Sequence, residues 1–473
     1  MRSDDELGGL AGQPSPLQRA NRKCTQWHET SSEYSRKSLG NLDTVHELLC
    51  SERKIHGIEH ERAARSRQPR ERRVVLSSLR RGNAPTSAEE NMPGLLPDVD
   101  PDGLLEYSVV FTDRSLNHMS QRFQRVMCDI SGILKHVYNA HSAIVVPGGG
   151  TYGMEAVARQ FATGKQCLVI RNGWFSYRWT QIFDAGNIPA GATVLKARRT
   201  GEGRHAPFAP APIDEVVASI RRIRPAVVFA PHVETASGII LPDKYLRAVG
   251  DAVHATGGLF VLDCVASGAL WVDMETCGVD VLITAPQKGW SSTPGFALVM
   301  LSQQARNAIE GTTSSSFACD LRKWLSIMEA YEKGGHAYHA TLGTDSLARL
   351  RDAMKETERV GFETTRAAQQ ELGNKVRALL ARHGFASVAA EGFQSPSVVV
   401  SYTDDKDVQS GKKFLDLGVQ AAAGVPLQCD EPADFRTFRI GLFGLDKLGN
   451  VNRTVGSLER VLARIASPAL EQR

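Results

Sequence analysis

The sequence predicts an α/β protein. A large domain holds a mostly parallel sheet covered by helices on both faces, and a smaller C-terminal α+β domain follows. Three observations carry this. Unbroken apolar runs recur: AIVV (143–146), CLVI (167–170), AVVFA (226–230), LFVLD (259–263), DVLITA (280–285) and FALVML (296–301). Continuous apolar strands belong to sheets buried on both faces. Segments of helical spacing alternate with them, as in TYGMEAVARQF and DKYLRAVGDAVHATGG, the latter ending on glycines where a helix C-cap belongs. The composition is that of a globular chain, 42% hydrophobic and 23% charged over 473 residues, enough for roughly two or three structural units.

The boundaries follow the composition. Residues 1–91 hold 16 Lys+Arg and 13 Asp+Glu with no apolar period, and 62–81 contains eight Arg and one acid. So polar a segment cannot bury enough apolar area to offset ordering entropy, so a disordered Arg-rich extension is expected there. It is either a basic arm for nucleic acid or an acidic partner, or a dispensable extension ahead of Met92. The large domain is expected over 92–360. From 361, a long helical stretch (GFETTRAAQQELGNKVRALLARHG) leads to a strand (SVVVSY), a helix (SGKKFLDLGVQA), a strand (FRTFRIGLFG) and a last helix. This is the small domain, 361–473.

Several functions are disfavoured. A net charge of +4 argues against nucleic-acid binding by the chain as a whole. No 18-residue apolar run exists, so no membrane span is expected. The first residues, MRSDDELGGLAGQPS, lack the apolar core of a secretory signal, and the tail LEQR is no retention signal. The eight cysteines form no CxxC pair and read as reduced thiols of a cytoplasmic protein. No metal site is expected.

The chemistry sits at strand ends. Gly148–Gly153 follows a strand and opens a helix, literally matching G-x-G-x-x-G. Glycines let a backbone approach phosphate, and a helix N-terminus attracts it. A dinucleotide site would want an acid about 20 residues later, but the next strand ends in Arg171-Asn172. An NADP oxidoreductase, with Arg171 on a 2′-phosphate, therefore stays open, as does a plain tight turn. Asp263 ends LFVLD, and a carboxylate there is costly without a cationic partner. Lys288 follows the next strand, in APQKGWSSTPG. Pyridoxal 5′-phosphate wants both: a lysine amine for its Schiff base and a carboxylate beside its pyridinium nitrogen. The Gly148–Thr151 turn would hold the phosphate. A buried structural Asp and a surface Lys are the plain alternatives.

PGGGTYGMEAVARQF, RNGWFSYRW, HVETASGIILP, VLDCVASGALWVD, APQKGWSSTPG, AYHAT and FRIGLFG occur in this order. Together they resemble the class V aminotransferases, nearest the alanine/serine–glyoxylate group of the type I pyridoxal-phosphate fold. The resemblance covers about 105–465. It implies that Lys288 carries the cofactor and shuttles the substrate proton, and that Asp263 pairs with the ring nitrogen. Phe175 would stack on the ring, though Trp174 or Tyr177 could replace it, and Val265 would pack on the opposite face. Gly149 (where relatives often carry Ser), Gly150, Thr151 and Gln287 would bind phosphate, and Thr235 the ring 3′-oxygen. Tyr338 and Thr341 would reach the phosphate of a neighbouring subunit, implying a homodimer with shared active sites; a local cap is the alternative. Arg439 would grip the substrate carboxylate with its guanidinium fork, unless it is a surface arginine. His232 and Glu234 are expected to be supporting residues.

The implied activity is transfer of an amino group from an alanine- or serine-like amino acid to a glyoxylate- or pyruvate-like oxo acid, by a ping-pong route. Another reaction on the same cofactor, such as a lyase or cysteine desulfurase, is the alternative. A desulfurase needs a mobile, exposed cysteine. Cys429 is the loop candidate, and Asp430 and Glu431 beside it would raise its pKa. The family's usual Pro-Gly-Pro loop is absent, and YSVVFTDRSLNHMSQRF stands there. Arg114 in it is a second anion site or a surface residue.

Overall fold

The structure is a computed structural model describing residues 104–466; the extension expected over 1–91 lies outside the described residues. The apolar runs become a seven-stranded sheet: β1 (Ser142–Pro147), β2 (Gln166–Arg171), β3 (Gly191–Lys196), β4 (Val227–Pro231), β5 (Leu259–Asp263), β6 (Val281–Thr284) and β7 (Phe296–Leu301). Their order across the sheet is β1-β7-β6-β5-β4-β2-β3. Pairs β2–β3, β2–β4, β4–β5 and β5–β6 are parallel. Only β7 runs against its neighbours β1 and β6. Every residue of β4, β5, β6 and β7 is buried. Successive side chains point to opposite faces, so unbroken burial means both faces are covered.

The helices follow from local rules. In α1 (Gln121–Tyr138), buried Phe123, Val126, Met127, Ile130 and Leu134 recur at helical spacing. Burial of each stabilises the fold by about 1.5–3 kcal/mol. Ser120 caps this helix by accepting from the Phe123 N–H at 3.1 Å, and Asn139 ends it in the left-handed region, φ 51°. The helices α2 (Gly150–Phe161) and α3 (Trp174–Gly186) follow β1 and β2, and α4 (Ile213–Ile223) and α5 (Asp243–His254) precede β4 and β5. Trp179 of α3 packs on Phe229 of β4 with centroids 4.4 Å apart.

Gly153 explains why α2 lies close to the sheet. A Cβ there would meet the Ala297 Cβ at 2.6 Å. The last glycine of the G-x-G-x-x-G match thus serves helix–sheet packing.

Further along, α6 (Leu321–Glu332), α7 (Thr344–Val360) and α8 (Phe362–Arg382) precede a three-stranded antiparallel sheet. It holds β8 (Val398–Tyr402), β9 (Ala422–Ala423) and β10 (Thr437–Gly441), and α9 (Val451–Ala466) closes the described chain. The helix expected within SGKKFLDLGVQA is only the short Lys412–Asp416. Positive φ at Gly411 (82°) and Gly418 (79°) interrupts helical geometry on both sides.

Candidate active site

The carboxyl ends of β1, β2, β4, β5 and β6 feed the loops and helix starts around one cavity of about 370 Å³, where ligands of such sheets sit. Gly150, Thr151, Phe175, Thr235, Asp263, Val265, Gln287, Lys288 and Arg439 all line it. The residues singled out from sequence were dispersed over 290 positions, and the fold brings these nine together.

One end is the start of α2. Gly148, at φ 107°, turns the chain out of β1 and donates its N–H to the Gly295 carbonyl at 2.7 Å. Gly149 is the N-cap, without a side chain to spend on capping, and it does not line the cavity. A Cβ on Gly150 would come within 2.7 Å of Val265, so glycine is what lets this helix start approach the loop after β5. First-turn N–H groups of a helix lack intrahelical partners and favour an anion.

Asp263 ends β5. Its Oδ1 accepts from the Val265 N–H at 2.9 Å. Burial pushes its carboxyl up to about 6, against the pull of that N–H, while the Glu234 charge adds to the rise. Lys288 is lowered, first by burial and then by the nearby Arg439 guanidinium, with Asp263 opposing. Its Nζ lies 4.9 Å from the Phe443 ring centroid. Arg439 donates from Nε to the Ala423 carbonyl at 2.7 Å, and its guanidinium lies 5.6 Å from the Phe175 ring centroid.

Glu234 is wholly buried. Its carboxylate accepts from the N–H groups of Phe175, Ser176 and Ala236 and from the Ser176 hydroxyl, at 2.7–3.2 Å. It ties the first turn of α3, which carries Phe175, to the loop that carries Thr235. His232 is also buried; its Nδ1 pairs with the Ser267 hydroxyl at 2.7 Å, and burial pulls its pKa down to about 3. Neither side chain lines the cavity.

Other expectations fall elsewhere. Trp174 and Tyr177 pack on each other at 5.6 Å and do not line the cavity. Tyr338 and Thr341 are also outside it; their hydroxyls are 3.0 Å apart, and Tyr338 is 53% exposed. They cap no helix, since α7 starts at Thr344 without a side-chain cap. Arg114 is exposed. Arg171 does not face the glycine turn. It bonds the Thr180 hydroxyl at 2.9 Å and lies over Tyr177, which removes the support for a 2′-phosphate site. Cys429 is buried and its thiol is pushed up to about 12, by burial first and then by Glu234 and Glu431. Asp430, expected to share in this, instead pairs with Lys196 at 2.6 Å.

The cavity also holds residues not anticipated, chiefly Arg178 and Phe443. Arg178 lies one turn beyond Phe175 in the FSYRW segment, and that i, i+3 spacing was the available signal. Phe443 lies just past the β10 strand that carries Arg439, within the quoted FRIGLFG motif.

Known proteins bear on this geometry. No protein-family model matches the chain. The soluble hydrogenase small subunit of Synechococcus sp. (strain PCC 6716) is 25% identical over 356 residues, 74% of this chain and 88% of its own. The L-aspartate–glyoxylate aminotransferase of Paracoccus denitrificans (strain Pd 1222) is 25% identical over 372 residues, 75% and 87% of the two chains. The fold is shared with the crystal structure of alanine–glyoxylate aminotransferase from Nostoc sp., with TM-score 0.62 and 21% identity over 73% of this chain and 88% of that one. Fold and relatives define a pyridoxal-phosphate-dependent enzyme. Within that class, the chain is similar to the class V aminotransferases.

The cavity fits the cofactor of this family. It offers a buried carboxylate whose second oxygen meets no protein donor among the described residues. It also offers an amine whose pKa burial lowers, a helix start that only glycine lets approach, and an aromatic face.

Proposed function

We propose that this enzyme transfers the amino group of a small alanine- or serine-like amino acid to a glyoxylate- or pyruvate-like oxo acid, with the cofactor held by the cavity residues named above. The observation that carries this is Asp263 and Lys288 lining one cavity with Arg439. Pyridoxal phosphate, when bound, supplies an aldehyde that condenses with amines and a ring that accepts the electron pair left by a departing proton.

The chain's own residues do the rest. Lys288 would hold the cofactor through its amine, and Nζ, once free, would take the α-proton and return it one atom away. Asp263 keeps the proton on the ring nitrogen, a role that repays its buried charge. Phe175 and Val265 exclude water from the two ring faces. Thr235 would bond the ring oxygen, Gly150, Thr151 and Gln287 would serve the phosphate, and Gly149, the N-cap outside the cavity lining, would add its backbone. Arg439 takes the substrate carboxylate by its guanidinium fork. The amino group would stay with the bound cofactor while water supplies the oxygen of the departing oxo acid, and a second oxo acid would take up the amine over the same residues, releasing that water.

Several finer points belong to the same reading. Residues 92–360 act as the cofactor domain and 361–473 as a smaller domain carrying Arg439. The protein is a cytoplasmic homodimer, and no helix among the described residues is long and apolar enough to cross a membrane. Tyr338 and Thr341 of one copy reach the phosphate of the other. In support, Tyr338 and Phe317 are large side chains exposed at 53% and 78%. A desulfurase role is disfavoured because Cys429 is buried and outside the cavity.

The test is a half-reaction. Yellow enzyme mixed with L-alanine or L-serine should lose its visible absorbance, and glyoxylate or pyruvate should restore it. Release of ammonia or sulfide without an oxo acid would remove the transaminase reading.

A further inference from the structure

Three cations line the cavity: Lys288, Arg439 and Arg178. Lys288 and Arg439 have roles in the proposed reaction. Arg178 projects from α3 toward the start of α2, where its Nη1 donates to the Thr151 hydroxyl at 2.9 Å. Its guanidinium lies 5.1 Å from the Phe175 ring centroid. Among the described residues no carboxylate forms an ion pair with it.

Charge balance makes this position significant. A phosphate monoester carries between one and two negative charges near neutrality. A helix N-terminus answers with only about half a positive charge, and Gln287 and Thr151 are neutral. The hydrogen bond to Thr151 adds direction. With the hydroxyl oxygen accepting from Arg178, the Thr151 proton is left to donate elsewhere.

Resting on the cofactor reading above, we propose that Arg178 is the cation that holds the cofactor phosphate. It orients the Thr151 hydroxyl with Nη1 and presents its remaining N–H donors to the phosphate oxygens.

The experiment compares two ligands that differ only in the phosphate. Cofactor-free protein is titrated with pyridoxal phosphate and with pyridoxal, following tryptophan fluorescence, for wild type, Arg178→Gln and Arg178→Lys. Arg178→Gln should weaken pyridoxal phosphate at least tenfold and leave pyridoxal within twofold, and Arg178→Lys should recover part of the loss. Pyridoxal binding also reports that the variant is folded. Equal weakening of both ligands would mean that Arg178 only shapes α3, and no change in either would mean that it holds nothing; each overturns the proposal. Wild type that binds neither ligand would instead overturn the cofactor reading on which it rests.

Discussion

Glu234 holds Ser176 twice, accepting from its backbone N–H at 2.9 Å and from its hydroxyl at 2.7 Å. These bonds, with those from Phe175 and Ala236, make one buried carboxylate the cap of α3. An unmade hydrogen bond to a buried donor costs about 1–3 kcal/mol. Glu234→Ala should therefore lower stability by about 3 kcal/mol, seen as a drop in the denaturation midpoint. Glu234→Gln should fare little better, because its amide nitrogen would face an N–H donor. A variant as stable as wild type contradicts the capping role.

Asp263 makes stability depend on pH. Its carboxyl titrates near 3.8 when unfolded and near 6 in the folded, cofactor-free protein. The folded state therefore holds an extra proton between those values. The stability this group contributes is present below about pH 4 and is lost as pH rises through 6. The displacement corresponds to about 3 kcal/mol. Cofactor-free Asp263→Asn should be more stable than wild type at pH 7, with the gap closing toward pH 4. Denaturant melts at the two pH values check this, and a gap that widens in acid contradicts it.

Gly153 should resist enlargement. Its added Cβ would sit 2.6 Å from the Ala297 Cβ and 3.1 Å from the Ile283 Cγ2. Overpacking of this kind costs about 1–3 kcal/mol. Gly153→Ala should lower the thermal midpoint accordingly, and an unchanged midpoint would show that α2 can shift freely.

Arg439 tests the substrate end. Arg439→Ala should raise KM for both amino and oxo acid, by about 2–4 kcal/mol of lost binding if the pair is well buried. An unchanged KM would refute the role proposed for it.

Much of this site could be read from sequence because strand ends are local features. Asp263 closes an apolar run, and Lys288 and Gln287 follow the next one, so topology alone set them side by side. The β1 turn was legible for the same reason. The antiparallel direction of β7 was not, because FALVML is apolar on both faces whichever way it runs. Arg178 escaped notice because its meaning lies in a contact with Thr151, 27 residues away, which only the packing of α3 beside α2 creates. Phe443 depends on how the small sheet folds over the large one. Tyr338 and Thr341 lie outside this chain's cavity, and their proposed role needs a second copy.

The central claim is that Lys288 carries the cofactor. Borohydride reduction of the yellow protein, followed by peptide mass analysis, tests it most directly. The account predicts a single reduced pyridoxyl adduct on Lys288, and none in Lys288→Ala. An adduct on a different lysine, or no adduct from coloured protein, would contradict it.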